Sequence, residues 1–156
     1  MSYATRARTG VAGVFVARTA AVPPASGASA DLFSITGQVL LTSFFGRVSV
    51  AIPGESIDLD LALDPDDAVA DVVLATALVC DSDAAGTWYT LNPTAGGVLI
   101  AELDVAYGVA LEAPIACDAG DIKLNVTGGG AIGTTARVHW GLTYVPLSAN
   151  GAVVAV

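Results

Sequence analysis

Apolar and polar residues alternate along most of the chain after residue 30. The clearest stretch is Ser56–Leu63. Its aliphatic residues share one side and its polar residues the other: Ile57, Leu59, Leu61 and Leu63 against Ser56, Asp58 and Asp60. Period-two alternation is the pattern of a β-strand with one buried and one solvated face. The last long stretch behaves in the same way, with one side formed by Val138, Trp140, Leu142 and Tyr144.

Turn residues separate further stretches of this kind, which predicts short strands throughout the chain. The segments are Asp31–Thr36, Gln38–Ile52 with an interruption near Gly46, Thr87–Leu91, Val98–Leu103, Gly108–Cys117, Ile122–Thr127 and Thr134–Val145. Asp71–Cys80 is continuously apolar, which fits a doubly buried strand or a short helix, and its length and β-branched residues favour the strand. Gly128–Gly130 links the last two strands and predicts a hairpin tip.

About eight to ten short strands at this spacing, with no amphipathic helix among them, predict an all-β fold. We expect an antiparallel β-sandwich, jelly-roll-like, with an extended N-terminal arm. The expected division is an arm and linker over residues 1–30 and a β-sandwich domain over residues 31–156. The boundary follows from Val22–Ala30, where two prolines and a run of small residues disfavour regular packing.

Charge separates the same two parts. The arm contains Arg6, Arg8 and Arg18 and no acidic residue, which leaves three bases against fifteen acids, a net charge of −12, on the remainder. We expect the three arginines to bind an acidic neighbouring subunit or a larger assembly, the arm becoming ordered on binding. Two alternatives stay open: a tail without a partner, and a secretory signal with a cleavage site at Ala28–Ala30.

The composition is apolar but consists of small side chains. Hydrophobic residues make up 54 % and charged residues only 13 %, with 4 Phe, 2 Trp and 1 Met. Interfaces of obligate oligomers resemble a domain core cut in half. We therefore expect small apolar strands to pack between subunits as well as within one. The candidate interface residues are Val153, Val154 and Val156 of the apolar C-terminal tail.

The chain has few of the side chains that commonly act in catalysis. With one His and two Cys, the chain offers no zinc motif and no nucleophile elbow, so we expect no catalytic residue, no metal site and no cofactor. A cluster of aspartates around Asp58–Asp67 lacks the spacing of a calcium loop and is interpreted as a solvated strand face and a turn. His139 is interpreted as a surface or interface residue. No small-molecule ligand is expected.

Nucleic acid and membrane are also excluded as expected partners. A body of charge −12 would repel phosphates, and no apolar run approaches the ~20 residues of a membrane span. Cys80 and Cys117 each end an apolar strand. Two buried thiols are the favoured interpretation, and a cross-strand disulfide is the alternative.

Two parts of the chain resemble a known group of proteins. Phe33-Ser34-Ile35-Thr36-Gly37 opens the body, and near its end Gly120–Thr127 leads to Arg137–Leu147. They resemble small β-rich virion structural proteins of tailed bacteriophages, in which an F-x-I-T-G start and a closing R/K-W-x-L-x-Y-x-P-L strand recur. Trp140, Leu142, Tyr144 and Pro146 match the closing pattern, whereas Arg137 stands three residues before the Trp.

The resemblance implies a non-enzymatic virion subunit, assembled in the host cytoplasm. It would be a homotrimer, and a capsid decoration or head-fibre role fits best, with the arm anchored to a capsid or other virion protein. Two other hypotheses remain. An exported carbohydrate- or surface-binding β-sandwich module would have a processed N-terminus, a Cys80–Cys117 disulfide and exposed aromatics in a groove. A hydrolase would place Asp58, Asp60 or Asp64 in a cleft with another carboxylate.

Overall fold

The computed structural model describes residues 13–54, 56–67, 69–92, 96–103, 110–130 and 134–156. Within these residues the regular structure consists of strands alone, as the alternation predicts. The strands are β1 (Val14–Ala21), β2 (Ser29–Thr36), β3 (Val39–Val50), β4 (Asp58–Pro65), β5 (Val72–Val79), β6 (Thr87–Thr90), β7 (Ile100–Leu103), β8 (Ala110–Cys117), β9 (Gly120–Thr127), β10 (Arg137–Pro146) and β11 (Ala152–Ala155).

The strands form two antiparallel sheets. Sheet A has the order β1-β10-β3-β6-β7, with β8 also paired to β3, and sheet B has the order β11-β2-β9-β4-β5. The all-β, sandwich-like architecture expected from the pattern is confirmed.

One hydrophobic core draws on both sheets. Strand β9 alternates strictly, so that Ile122, Leu124 and Val126 are buried while their neighbours in the chain are partly exposed. The predicted inward side of β10, Val138 to Tyr144, is likewise buried. The inward-facing side chains of both sheets, every second residue along these strands, therefore pack in a shared interior, as expected of two stacked sheets.

Aromatic rings fill the centre of this core. Phe33 of β2 meets Phe44 of β3 edge-on at 6.1 Å between ring centroids. Trp140 lies 5.7 Å from Phe44 and 6.1 Å from Tyr89. Phe33 belongs to sheet B and the other three rings to sheet A, so the cluster joins the two layers.

Gly46 does not interrupt β3. A Cβ atom at this position would lie 2.5 Å from Cζ3 of Trp140, and Gly46 pairs directly with Trp140 across the β3–β10 ladder. The glycine makes room for the indole rather than ending the strand. The predicted break near Gly46 is therefore wrong, and β3 runs without a break from Val39 to Val50.

The predicted hairpin over Gly128–Gly130 is also wrong. Strand β9 pairs with β2 and β4 in sheet B, whereas β10 pairs with β1 and β3 in sheet A. The glycine segment therefore leads from one sheet to the other. The apolar faces of β9 and β10 contribute to the same core from opposite layers, and a hairpin would place both in one layer.

Asp71–Cys80 contains the predicted strand, but the strand is not doubly buried. β5 is the last strand of sheet B, and beyond a single bridge from Thr76 to Val98 it has no further strand partner among the described residues. Only Leu74 and Ala75 of the strand are buried, and Val79 is 64 % exposed. The prediction fails because a continuous apolar run does not reveal whether a covering layer exists.

The N-terminal region enters the sandwich before residue 30. Strand β1 pairs with β10, from Val14 opposite Tyr144 to Ala21 opposite Val138, and β2 begins at Ser29. Residues 14–21, which the sequence assigns to the arm and linker, therefore form a regular strand. Residues 1–12 lie outside the described residues, and the extended arm stays a prediction there.

Candidate functional site: the outer faces of the two sheets

The outer face of sheet A carries a row of aromatic rings. Phe15 of β1 and Phe45 of β3 are nearly parallel, with 7° between the planes and 6.2 Å between the centroids. Trp88 of β6 follows at 5.4 Å from Phe45. Phe45 and Trp88 are partly buried, but Phe15 is 59 % exposed. A row of this kind on a solvated sheet face is an unusual use of large apolar side chains.

Small residues let the row form. Gly141 of β10 pairs with Phe45 on one side and with Ala17 on the other. A Cβ on Gly141 would lie 2.6 Å from Cζ of Phe45 and 3.3 Å from Cε2 of Phe15. The two phenyl rings therefore lie over the Gly141 backbone, and this glycine is the floor of the aromatic row.

Basic side chains border the row. The guanidinium of Arg47 lies 5.7 Å from the centroid of the Trp88 ring, which is cation–π distance. Arg47 pairs with His139 across the β3–β10 ladder, and both are exposed. Arg137, at the start of β10, donates hydrogen bonds to the carbonyls of Thr134 and Ala136 at 2.8 Å. We name Phe15, Phe45, Trp88, Arg47 and His139 the aromatic–basic face.

The outer face of sheet B is acidic. Its described charged residues are five aspartates and one lysine: Asp31, Asp58, Asp60, Asp64, Asp121 and Lys123. They alternate with the buried leucines, isoleucine and valine of β4 and β9. We name this surface the acidic face. The solvated strand face predicted for Asp58 and Asp60 is confirmed.

Only part of that charge is paired. Lys123 forms an ion pair with Asp64, and this hydrogen bond is the main reason why the pKa of Lys123 is raised. The Asn125 amide donates to Asp60 at 2.6 Å. Asp121 lies directly opposite Asp64 in the β4–β9 ladder, and like charges at such positions repel. The acidic face thus keeps a negative excess.

Two other aspartates hold the turn after β5. The Tyr89 hydroxyl donates to Asp83 at 2.6 Å, and the Ile57 amide donates to Asp81 at 2.7 Å. Burial, followed by the hydrogen bond to Asp83, raises the pKa of Tyr89. These carboxylates stabilise a turn. Among the described residues, no group of three His, Cys, Asp or Glu side chains is placed to hold a metal ion.

Both cysteines are buried free thiols. Burial, followed by nearby aspartates, raises the pKa of Cys80 to about 12, and burial and Asp118 raise that of Cys117 to about 11. Thiols protonated at neutral pH are poor nucleophiles. The favoured interpretation of two buried thiols agrees with this arrangement.

The predicted arm residues have different positions. Arg6 and Arg8 lie outside the described residues. Arg18 lies in β1, and its Nε donates a hydrogen bond to the main-chain oxygen of Val156 at 2.6 Å. It thereby joins the edge of sheet A to the end of sheet B, and this contact is internal to the chain.

The valine tail is divided between core and surface. Strand β11 pairs with β2, and Val153 is only 4 % exposed, so its side chain packs in the core of its own chain. Val154 and Val156 are each 57 % exposed and stay candidates for a subunit interface. The aromatic–basic face was not predicted, because its members come from β1, β3, β6 and β10. Only Phe45 and Arg47 are near neighbours in the sequence.

Comparisons with known proteins return nothing: no family model, no curated protein and no solved structure matches this chain. No helix in the described part of the chain is long and apolar enough to cross a membrane.

Proposed function

We propose that this chain is a non-enzymatic structural protein of a bacteriophage virion. As a capsid decoration or head-fibre subunit, it oligomerises and anchors to the particle through its N-terminal segment. The observation that carries the proposal is the amount of apolar surface left outside the core. Val72, Val73 and Val79 of β5 are each about half exposed or more, and Phe15 of β1 and Val154 of β11 add exposed apolar surface elsewhere. Large apolar side chains exposed along one strand are typical of an interaction surface.

Strand β5 contributes most to this surface. Three of its valines are exposed, the strand lies at the edge of sheet B, and it carries no charged residue. Natural proteins protect such edges with charges, prolines or a covering segment, because an open apolar edge recruits other chains. In the described part of the chain, residues 97–99 cover this edge only at Thr76. The rest of the edge suits a protein that works within an assembly.

We further propose that the two sheets form a jelly roll. The antiparallel pairs β1·β10, β2·β9, β3·β8 and β4·β5 are nested, as in one long hairpin wound into two layers. The resulting orders, β1-β10-β3-β8 and β2-β9-β4-β5, support this topology, with the β6–β7 pair inserted. Jelly rolls are common in viral capsid proteins and in lectin domains, so the topology agrees with the resemblance and does not distinguish it from a lectin.

The anchor can be tested on particles that lack the protein. Purified full-length chain is mixed with the particles, and co-sedimentation is compared with that of a chain lacking residues 1–12. A second pair replaces Arg6 and Arg8 by Glu or by Lys. Attachment should be lost on truncation and on charge reversal and kept with Lys. Undiminished attachment of the truncated chain would overturn the anchor.

An exported carbohydrate- or surface-binding module is the second candidate, favoured by the exposed aromatic row, since rings of this kind stack on sugars. It requires a shortened chain and, as predicted above, a Cys80–Cys117 disulfide. Intact-mass measurement decides: a full-length mass with two reduced thiols supports the virion subunit, and a mass lower by the first thirty residues and two hydrogens supports export.

A further inference from the structure

We infer that copies of this chain associate by packing the aromatic–basic face of one copy against the acidic face of the next. The inference rests on the self-association in the proposed function and names the surfaces that carry it. The two outer faces of the sandwich differ both in charge and in the type of side chain they carry.

The aromatic–basic face has the composition of an interface centre. Trp, Tyr and Arg dominate binding hot spots, and aromatic residues are enriched in interface cores. Here Trp88 already contacts both the tilted ring of Phe45 and the guanidinium of Arg47. A partner therefore needs to order few side chains on this face, which reduces the entropic cost of binding.

Charge selects the partner. Arg47, Arg137 and His139 all lie on sheet A, to which β7 contributes the acidic residue Glu102, opposite Trp88 in the β6–β7 ladder. Among the described residues, no cation lies within ion-pair distance of Asp58 or Asp121, and Asp31 shares Lys123, opposite it in the β2–β9 ladder, with Asp64. Complementary potentials steer association and exclude wrong orientations. A second copy always supplies the complementary face at equal concentration.

This contact joins two different surfaces, so it is heterologous. Each copy keeps one unused face after the first contact, and such contacts build a ring where the rotation closes and a filament where it does not. Val79 of β5 lies opposite Asp58 and borders the acidic face, whereas Val72 lies opposite the inward-facing Leu63 and stays available to another virion protein.

Sedimentation equilibrium of the full chain tests the inference through single variants on each face. Phe15→Ser and Arg47→Glu change the aromatic–basic face, and Asp58→Lys changes the acidic face. Each should weaken association at least about tenfold. Two controls match them: Val72→Ser removes a comparably exposed apolar side chain from β5, opposite the inward-facing Leu63, and Asp66→Lys reverses an exposed charge in the turn after β4. Both should leave the association constant unchanged.

Salt and mixing supply two further readouts. Raising NaCl from about 0.05 M to about 0.5 M should weaken a charge-matched contact, whereas an apolar β5 contact would not weaken. Phe15→Ser and Asp58→Lys each retain one intact face. Mixed in equal amounts, they should form a heterodimer that cannot grow, although each alone is monomeric.

Several results would overturn the inference. Association lost in Val72→Ser but kept in Phe15→Ser would assign the contact to β5. If Arg47→Glu abolishes association, Asp58→Lys does not, and the mixture forms no heterodimer, the acidic face is not the partner. The aromatic–basic face would then pack against the same face of another copy or against a different protein. Both outcomes leave the proposed oligomer intact. A chain that is monomeric at every concentration would overturn the inference together with the proposed self-association, while attachment to particles is tested separately.

Discussion

The contact between Gly46 and Trp140 shows how one residue type can determine local packing. The indole occupies the volume that any side chain at position 46 would need. Gly46→Ala should therefore lower the free energy of unfolding by about 1–3 kcal/mol, the usual cost of overpacking a core. Urea unfolding followed by tryptophan fluorescence measures the change.

Gly129 is the matched control, since no heavy atom lies within 4 Å of a Cβ built there. Gly129→Ala should change stability by no more than about 0.5 kcal/mol. Equal losses in the two variants would mean that backbone freedom, rather than the contact with the indole, determines the cost at position 46.

For single residues, the hydrophobic pattern predicts whether a side chain faces the core or the solvent. Alternation correctly predicts Trp140 inside and His139 outside, because neighbours in a strand point to opposite faces. Alternation cannot predict the row of aromatic rings on sheet A. Phe15, Phe45 and Trp88 are far apart in the chain, and only strand order brings their rings together.

Among the strands, β1 is an edge strand that belongs to the sandwich rather than to a separate arm. Its inner side chains Val14 and Val16 pack against the core, and its ladder covers the edge of β10. A chain that begins at residue 13 should keep the stability of the full chain. A chain that begins at residue 22 should lose at least about 2 kcal/mol, since buried valine surface and a strand ladder disappear.

Circular dichroism during urea titration measures both truncations. If the chain that begins at residue 22 has an unchanged midpoint, β1 is a dispensable part of the arm, as the predicted boundary at residue 30 implies. Strands β5, β9 and β10 show the limit of pattern reasoning at this scale. Each was recognised as a strand, but the partners of β9 and β10 are distant in the chain, and the exposure of β5 depends on what covers it.

At the scale of the whole molecule, buried protons link stability to pH. The native thiols hold their protons to about pH 12 and about pH 11, against an ordinary pKa of 9.0. Tyr89 is shifted upward as well. Above pH 9 the unfolded chain therefore releases protons that the native chain retains. Stability should fall as pH rises from about 9 through 11, approaching about 1.4 kcal/mol per pH unit for each such group.

Urea midpoints at several pH values between 8 and about 11 measure this slope. Cys80→Ala with Cys117→Ala gives the comparison: the doubly substituted chain should be less stable at pH 8 but should lose less of its stability on going to high pH. Identical slopes would show that the thiols do not contribute.

The strand content, the solvated and buried sides of β4 and β10, and the scarcity of catalytic side chains could all be predicted from the sequence. These follow from period-two alternation and residue chemistry, which act within a few residues. The three-dimensional fold was needed to place β5 at the edge of sheet B, β9 and β10 in different sheets and Val153 in the core. It also separated the aromatic–basic face from the acidic face. Such features depend on which distant strands share a ladder, and pairing partners leave no period in the sequence.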